Sequence, residues 1–382
     1  MSRNPTVHEI TVWADVGSPV QQVRTAMNRL ANAMGNAGLR PSGLVWMEWS
    51  TAEPARYHLA RREIDLAYRE VFAGNRPPIQ LQVADHGLKI FAKVRANAPT
   101  TSDIVWRGLD LRTLEQQMSP RHGTPCMEAV FERKRLLSSH FREQHTSAAY
   151  DIGYGESAAE TFDLFYPSHA LTPPLWVFIH GGYWQASDKS DVHDLAQQML
   201  AAGYAVAMPN YALCPPANLL QIVDQMHQSL TYIFQNAESL GIDREEIHIA
   251  GTSAGGHLAA LMACERSLPF VRSALAISGI HDLRPLLFLA SAAILGLDSE
   301  LAARLSPILQ RPNDNIRVGV AVGQLESDEF RHMSAELAQA WGADLMEVEG
   351  KTHFNVTDHL ADGGALAQFA QTIAAKKGEQ PC

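Results

Sequence analysis

The stretch Ile247-His248-Ile249-Ala250-Gly251-Thr252-Ser253-Ala254-Gly255-Gly256 decides the fold. Residues 247–250 are a short apolar run of the kind a strand buried on both faces presents. Gly251-Thr252-Ser253-Ala254-Gly255 matches G-x-S-x-G, and the sequence after it reads as a helix, 256–264. A strand-to-helix turn this tight needs small residues on either side of the serine, and the new helix points free N–H groups toward it. The context predicts that Ser253 is a nucleophile; the bland reading is a glycine-rich turn with an inert serine.

Outward from this turn, apolar strands at 175–179, 205–208, 274–278, 318–322 and 345–348 alternate with helical stretches at 191–202, 219–240 and 329–341. That alternation is the mark of an α/β fold with a mostly parallel sheet and crossover helices on both faces. The strand ending at Ile179 runs into His180-Gly181-Gly182-Tyr183-Trp184. Positions without side chains let backbone N–H groups approach a substrate oxygen, so Gly182, with Gly181 beside it, and Ala254 are the expected oxyanion donors. His180 is expected to brace this loop. A base must follow in chain order, and His353, in the loop after strand 345–348, has the placement an imidazole needs. His332 and His359 fall on helices instead. The acid is more open. Glu326, nearest the end of strand 318–322, is first choice, Asp328 is the alternative, since it could instead cap the next helix, and Asp282 is third. Tyr183, Trp184 and Phe354 are expected to line an aromatic-sized pocket.

The first 98 residues form a different unit, read as β-α-β-α-β-β. Strands are expected at 7–15, 44–50, 79–83 and 88–96. Ser18 and Pro19 open a helix with Val20, Val23, Met27, Leu30 and Met34 on one face, and Tyr57, Ala60, Ile64, Ala67 and Val71 line a second one. Two such helices cover one sheet face; the other is expected to be apolar and to bury itself against a neighbour. Residues 99–118 read as a linker, and a charged helix at 127–145 opens the larger unit, 119–382.

Composition narrows the function. The 382 residues are 46% hydrophobic and 19% charged, with 31 Lys+Arg against 41 Asp+Glu and a formal charge of -10. That balance is globular and disfavours nucleic acid as a partner. The longest apolar run, 286–297, falls short of the roughly 18 residues a membrane span needs. The start carries no apolar signal-peptide core, and Cys126, Cys214, Cys264 and Cys382 lie far apart without a Cys-x-x-Cys pair. A cytoplasmic protein with free thiols is expected. Gly350-Lys351-Thr352 lacks the first glycine of a phosphate-binding loop, since Leu345 stands there, and no metal-ligand spacing occurs. No cofactor is implied.

On these residues the larger unit resembles the α/β-hydrolase superfamily, and within it the kynurenine formamidase-like branch. The motifs are His180-Gly181-Gly182-Tyr183-Trp184, Pro209-Asn210-Tyr211-Ala212-Leu213, Ser278-Gly279-Ile280-His281-Asp282-Leu283, Gly323-Gln324-Leu325-Glu326-Ser327-Asp328-Glu329-Phe330 and His353-Phe354. The resemblance implies hydrolysis of N-formyl or N-acyl arylamines through Ser253, Glu326 and His353, although such formamidases commonly carry Asp where Glu326 stands. A carboxylesterase uses the same machinery, and a non-catalytic binding scaffold is the reading from another class. The first unit resembles the RidA-type imine deaminases, through Ala37-Gly38-Leu39-Arg40-Pro41, Ala67-Tyr68-Arg69-Glu70-Val71-Phe72 and Arg76-Pro77-Pro78. The family's substrate-binding arginine is replaced by Ile79, so this unit is read as an assembly module. The trimeric habit of that family implies a homo-oligomer.

Overall fold

A computed structural model describes residues 7–14, 18–36, 44–53, 56–57, 79–83, 88–95, 104–121, 124 and 127–375. The chain divides into two compact units, Met1–Arg112 and Thr113–Cys382.

In the smaller unit, strands β1 (Val7–Ala14), β2 (Leu44–Thr51), β3 (Ile79–Val83) and β4 (Leu88–Arg95) make a sheet of order β1-β4-β2-β3. The β1–β4 and β2–β4 pairs are antiparallel and β2–β3 is parallel. Helix α1 (Pro19–Asn36) starts where expected: Ser18 N–H donates to Gln21 Oε1 at 2.8 Å, and Gln21 N–H donates back to Ser18 Oγ at 3.4 Å. Its buried residues Val23, Ala26, Met27, Leu30 and Met34 pack on Val12, Ala14, Met47, Trp49, Ile90 and Ala92. The second helix expected after Tyr57, and the stretches that carry the imine deaminase resemblance, lie outside the described residues. The other sheet face corrects an expectation. It is not apolar but mixed: Glu9, Thr11, Trp13 and Lys89 are exposed, and Lys93 pairs with Glu9 at 3.6 Å. Alternation assigned the faces properly, but the outward positions carry charge, which water solvates at no cost. The stretch expected as a linker contains a hairpin, β5 (Ile104–Trp106) with β6 (Leu109–Asp110), and helix α2 (Leu111–Gln117). These elements are too short for periodicity to register.

The larger unit opens with helix α3 (Met127–Gln144). Its eight-stranded sheet comprises β7 (Ala148–Gly153), β8 (Thr161–Phe165), β9 (Pro174–Ile179), β10 (Ala205–Pro209), β11 (Asp243–Thr252), β12 (Val271–Ile277), β13 (Arg317–Gly323) and β14 (Asp344–Val348). The order is β14-β13-β12-β11-β9-β10-β8-β7. Six strands run parallel; β8 is antiparallel to both β10 and β7. Stretch 191–202, expected as one helix, is two 3-10 turns, Lys189–Asp191 and His193–Ala196, before helix α4 (Gln197–Ala201). Here Lys189 Nζ reaches inward to Asp163 at 2.6 Å, a buried ion pair that apolar periodicity does not reveal. Helix α5 (Leu219–Gln235) is capped by Asn218 and Gln221, and α6 (Ala254–Cys264) is buried along its whole length. Short helices α7 (Ser291–Leu295) and α8 (Ser299–Arg304) fill the region between β12 and β13, while α9 (Asp328–Trp341), α10 (Asp358–Asp362) and α11 (Ala365–Ala374) complete the layers. No helix among the described residues is long and apolar enough to cross a membrane.

Candidate active site

Open parallel sheets place ligands at the carboxyl ends of their strands, beside the point where strand order reverses. In the larger unit those ends are occupied by the loops singled out above. β11 passes through Thr252 into Ser253, whose φ of 57° and ψ of -119° belong to a region an L-residue enters only under strain. The turn closes because its flanks are bare: a Cβ on Gly255 would lie 2.0 Å from Ile179 O. The first turn of α6 therefore presses against the end of β9, with Ser253 at the head of that helix.

His353 stands in the loop after β14. Its Nε2 lies 2.9 Å from Ser253 Oγ, and its Nδ1 lies 2.6 Å from Glu326 Oε2. A carboxylate only accepts, so Nδ1 carries the proton and Nε2 keeps its lone pair for the serine hydroxyl. The other oxygen of Glu326 is equally held: Ser278 Oγ–H donates to Oε1 at 2.5 Å and Gly323 N–H at 2.7 Å. All three side chains are buried. Phe330 covers the imidazole, its ring centre 4.7 Å away.

The other acid candidates lie elsewhere. Asp328 is 81% exposed and paired to Arg331 at 2.6 Å. It is the first residue of α9, whose cap is Ser327. Asp282 is buried and held by Arg284 at 2.7 Å. Neither is hydrogen-bonded to His353.

The loop after β9 faces the nucleophile. A Cβ on Gly181 would come 3.1 Å from Ser253 Cβ, and Gly182 has φ of 117°, with an added Cβ 2.0 Å from Ala186 O. Tyr183 and Trp184 follow at φ of 56° and 57°. From behind, Tyr211 Oη–H donates to His180 O at 2.9 Å, with its ring stacked on His180 at 4.3 Å. His180 Nε2 lies 3.0 Å from Asn210 Oδ1. These contacts pin the carbonyl side of the loop, and Ala254, the other residue expected as a donor, is the first residue of α6, where a helix leaves its N–H without an intrahelical partner.

Of the expected pocket residues, Tyr183 and Phe354 are partly exposed. Trp184 is corrected: at 0% exposure it lines no cavity and packs edge-on against His257, ring centres 5.0 Å apart. An aromatic following a double glycine satisfies either reading, and burial decides it. His257 and His281 form a buried pair behind the loop. Desolvation, with the neighbouring ring adding to it for His281, pushes them down to about 4 and about 3. The sequence reading assigned no role to Ser278, Phe330 or Phe131. Ser278 had a signal, the position just after the strand next to the nucleophile's.

With this geometry in hand, similarity to known proteins is informative. The family model BD-FAE matches residues 162–274. The kynurenine formamidase of Drosophila melanogaster is 30% identical over 264 residues, 63% of this chain and 87% of that protein. That of Salmo salar is 28% identical over 284 residues, 68% of this chain and 94% of that protein. A proposed thioesterase from Silicibacter sp. TM1040 superposes with TM-score 0.63 and 35% identity, covering 68% of this chain and 98% of that one. The esterase of Pyrobaculum calidifontis shares the fold at TM-score 0.52 and 20% identity.

Proposed function

Because the chain belongs to the α/β-hydrolase family that includes these kynurenine formamidases, and is a hydrolase of that type, we propose that it cleaves the amide bond of an N-formyl or N-acyl arylamine through an acyl-enzyme on Ser253. The observation that carries this reading is the unbroken chain Ser253 Oγ, His353, Glu326 at 2.9 and 2.6 Å, with the serine on a strained turn. His353 takes the hydroxyl proton as Ser253 Oγ attacks the carbonyl. The oxyanion is met by the N–H groups of Gly182 and Ala254, and Glu326 stabilises the imidazolium. The amine departs with the proton from His353. Water, deprotonated by the same imidazole, then releases the acid.

A second reading, an esterase acting on small acyl or aryl esters, is favoured by the 35% identical proposed thioesterase. The two are separated by kcat/KM on a formanilide and on the phenyl ester of the same acyl group. A serine-directed phosphonate should label the wild type and not Ser253→Ala, with kcat of the variant falling by about 10³-fold or more. Near-wild-type turnover by a folded Ser253→Ala protein would sink both readings.

For the smaller unit we infer an assembly role in a homo-oligomer. The support is Trp13, 54% exposed on the sheet face opposite α1. A large exposed aromatic, here opposite Lys89 on the neighbouring strand, is a common anchor of interfaces.

A further inference from the structure

The imidazole that takes the serine's proton must hand it to the leaving group, so a leaving group lies on the His353 side of the scissile bond, away from the N–H donors of Gly182 and Ala254. The aromatic rings gathered around His353 differ in availability. Phe330 is 1% exposed and committed to covering the imidazole. Phe354 is partly exposed and edge-on to His353, ring centres 5.5 Å apart. Phe131, on α3, is 39% exposed and edge-on to Phe354 at 5.7 Å.

Phe131 comes from far away in sequence but is tied to the His353 loop. Thr124 Oγ1 and Thr352 Oγ1 are 3.3 Å apart, Lys134 Nζ donates to Thr357 Oγ1 at 3.4 Å, and Arg133 pairs with Asp358 at 2.9 Å. These bonds bracket Phe131 from both sides and hold α3 in register with residues 352–358. A ring so fixed loses little further freedom when a substrate packs on it, which is what a preorganised subsite requires.

We propose that Phe131 and Phe354 together form the subsite for an aryl leaving group, with Phe131 a specificity-determining residue supplied by α3. The proposal rests on the reading of Ser253 and His353 above and adds to it the residue, Phe131, that selects a flat aromatic amine or phenol over an alkyl leaving group. Edge-to-face contact gives such a ring an advantage that an alkyl chain of similar area lacks.

The test uses the full chain and two esters with a common acyl group, phenyl acetate and ethyl acetate, assayed with wild type, Phe131→Ala, Phe131→Tyr and Ser253→Ala. Phe131→Ala should lower kcat/KM for phenyl acetate about tenfold, mainly through KM, and change ethyl acetate by less than about twofold, while Phe131→Tyr restores the preference. Equal losses on both esters, or no loss on phenyl acetate, would overturn the subsite. Phe131→Leu keeps most of the volume and reads the same ratio if the alanine variant does not fold. An inactive Ser253→Ala beside a Phe131→Ala that keeps the wild-type phenyl-to-ethyl ratio removes the subsite alone; an active Ser253→Ala removes the hydrolase mechanism and the subsite with it.

Discussion

The two units of this chain differ in where their backbones are strained. In the larger one, non-glycine residues with positive φ include Tyr183, Ser253 and Ser278, in segments that follow parallel strands at the candidate site, and Trp184, packed behind it. In the smaller one, among the described residues, the list reduces to Arg107, in the two-residue turn between β5 and β6. Such conformations cost of order 1–3 kcal/mol each and persist only where the surroundings over-determine them. The five inner parallel strands β9 to β13, buried along most of their length, can do that; a four-stranded sheet with charge on one face has less packing to spare. The larger unit is built to hold groups in poor conformations.

The contrast breaks most sharply at Glu326. Glu326→Gln should lower kcat by roughly 10³- to 10⁴-fold, because the amide cannot fix the imidazole tautomer. Asp328→Asn, on an exposed ion pair, should stay within about threefold. The reverse ranking in steady-state assays would move the acid to Asp328. Ser278→Ala removes one of the two donors to Glu326 Oε1 and should cost about tenfold in kcat, a loss of the size one charge-assisted hydrogen bond carries. An unchanged rate would show that Gly323 alone suffices.

A smaller effect concerns stability. His257 and His281 are held neutral in the folded state well below their ordinary value, so the unfolded chain binds protons first as pH falls. The sign is therefore destabilising toward acid, beginning near pH 6.5 and continuing to about pH 4 for His257 and about pH 3 for His281, on the order of 1 kcal/mol per pH unit for each ring. Urea midpoints between pH 7 and 4.5 should fall, and His281→Phe should flatten the slope; a parallel slope in that variant would assign the acid sensitivity elsewhere.

The smallest effect on activity is expected in the smaller unit. Trp13→Glu should leave kcat/KM unchanged and lower the subunit count seen by light scattering, since a charge buried in an interface is costly. A full-sized particle would remove Trp13 from assembly, and a lost rate would make the units less independent in function than their strain pattern implies.

Much of this was readable from residue order alone. Short apolar runs marked the six parallel strands, five of which are buried along those runs, and G-x-S-x-G between strand and helix singled out Ser253 as the candidate nucleophile, because so tight a turn needs small flanking residues. His353 followed from chain order. Tertiary structure decided the rest. Glu326, Asp328 and Asp282 are equivalent as carboxylates in sequence; only the fold brings Ser278 and Gly323 N–H onto one of them. Trp184 and Phe354 are both aromatics beside loops of the candidate site, and only packing buries one and leaves the other partly open. The outward face of the small sheet and the approach of Phe131 to His353 depend on neighbours more than eighty residues away in the chain or across a sheet. Local pattern carries period and propensity; which side chains share a site is a matter of long-range contact, which period does not encode.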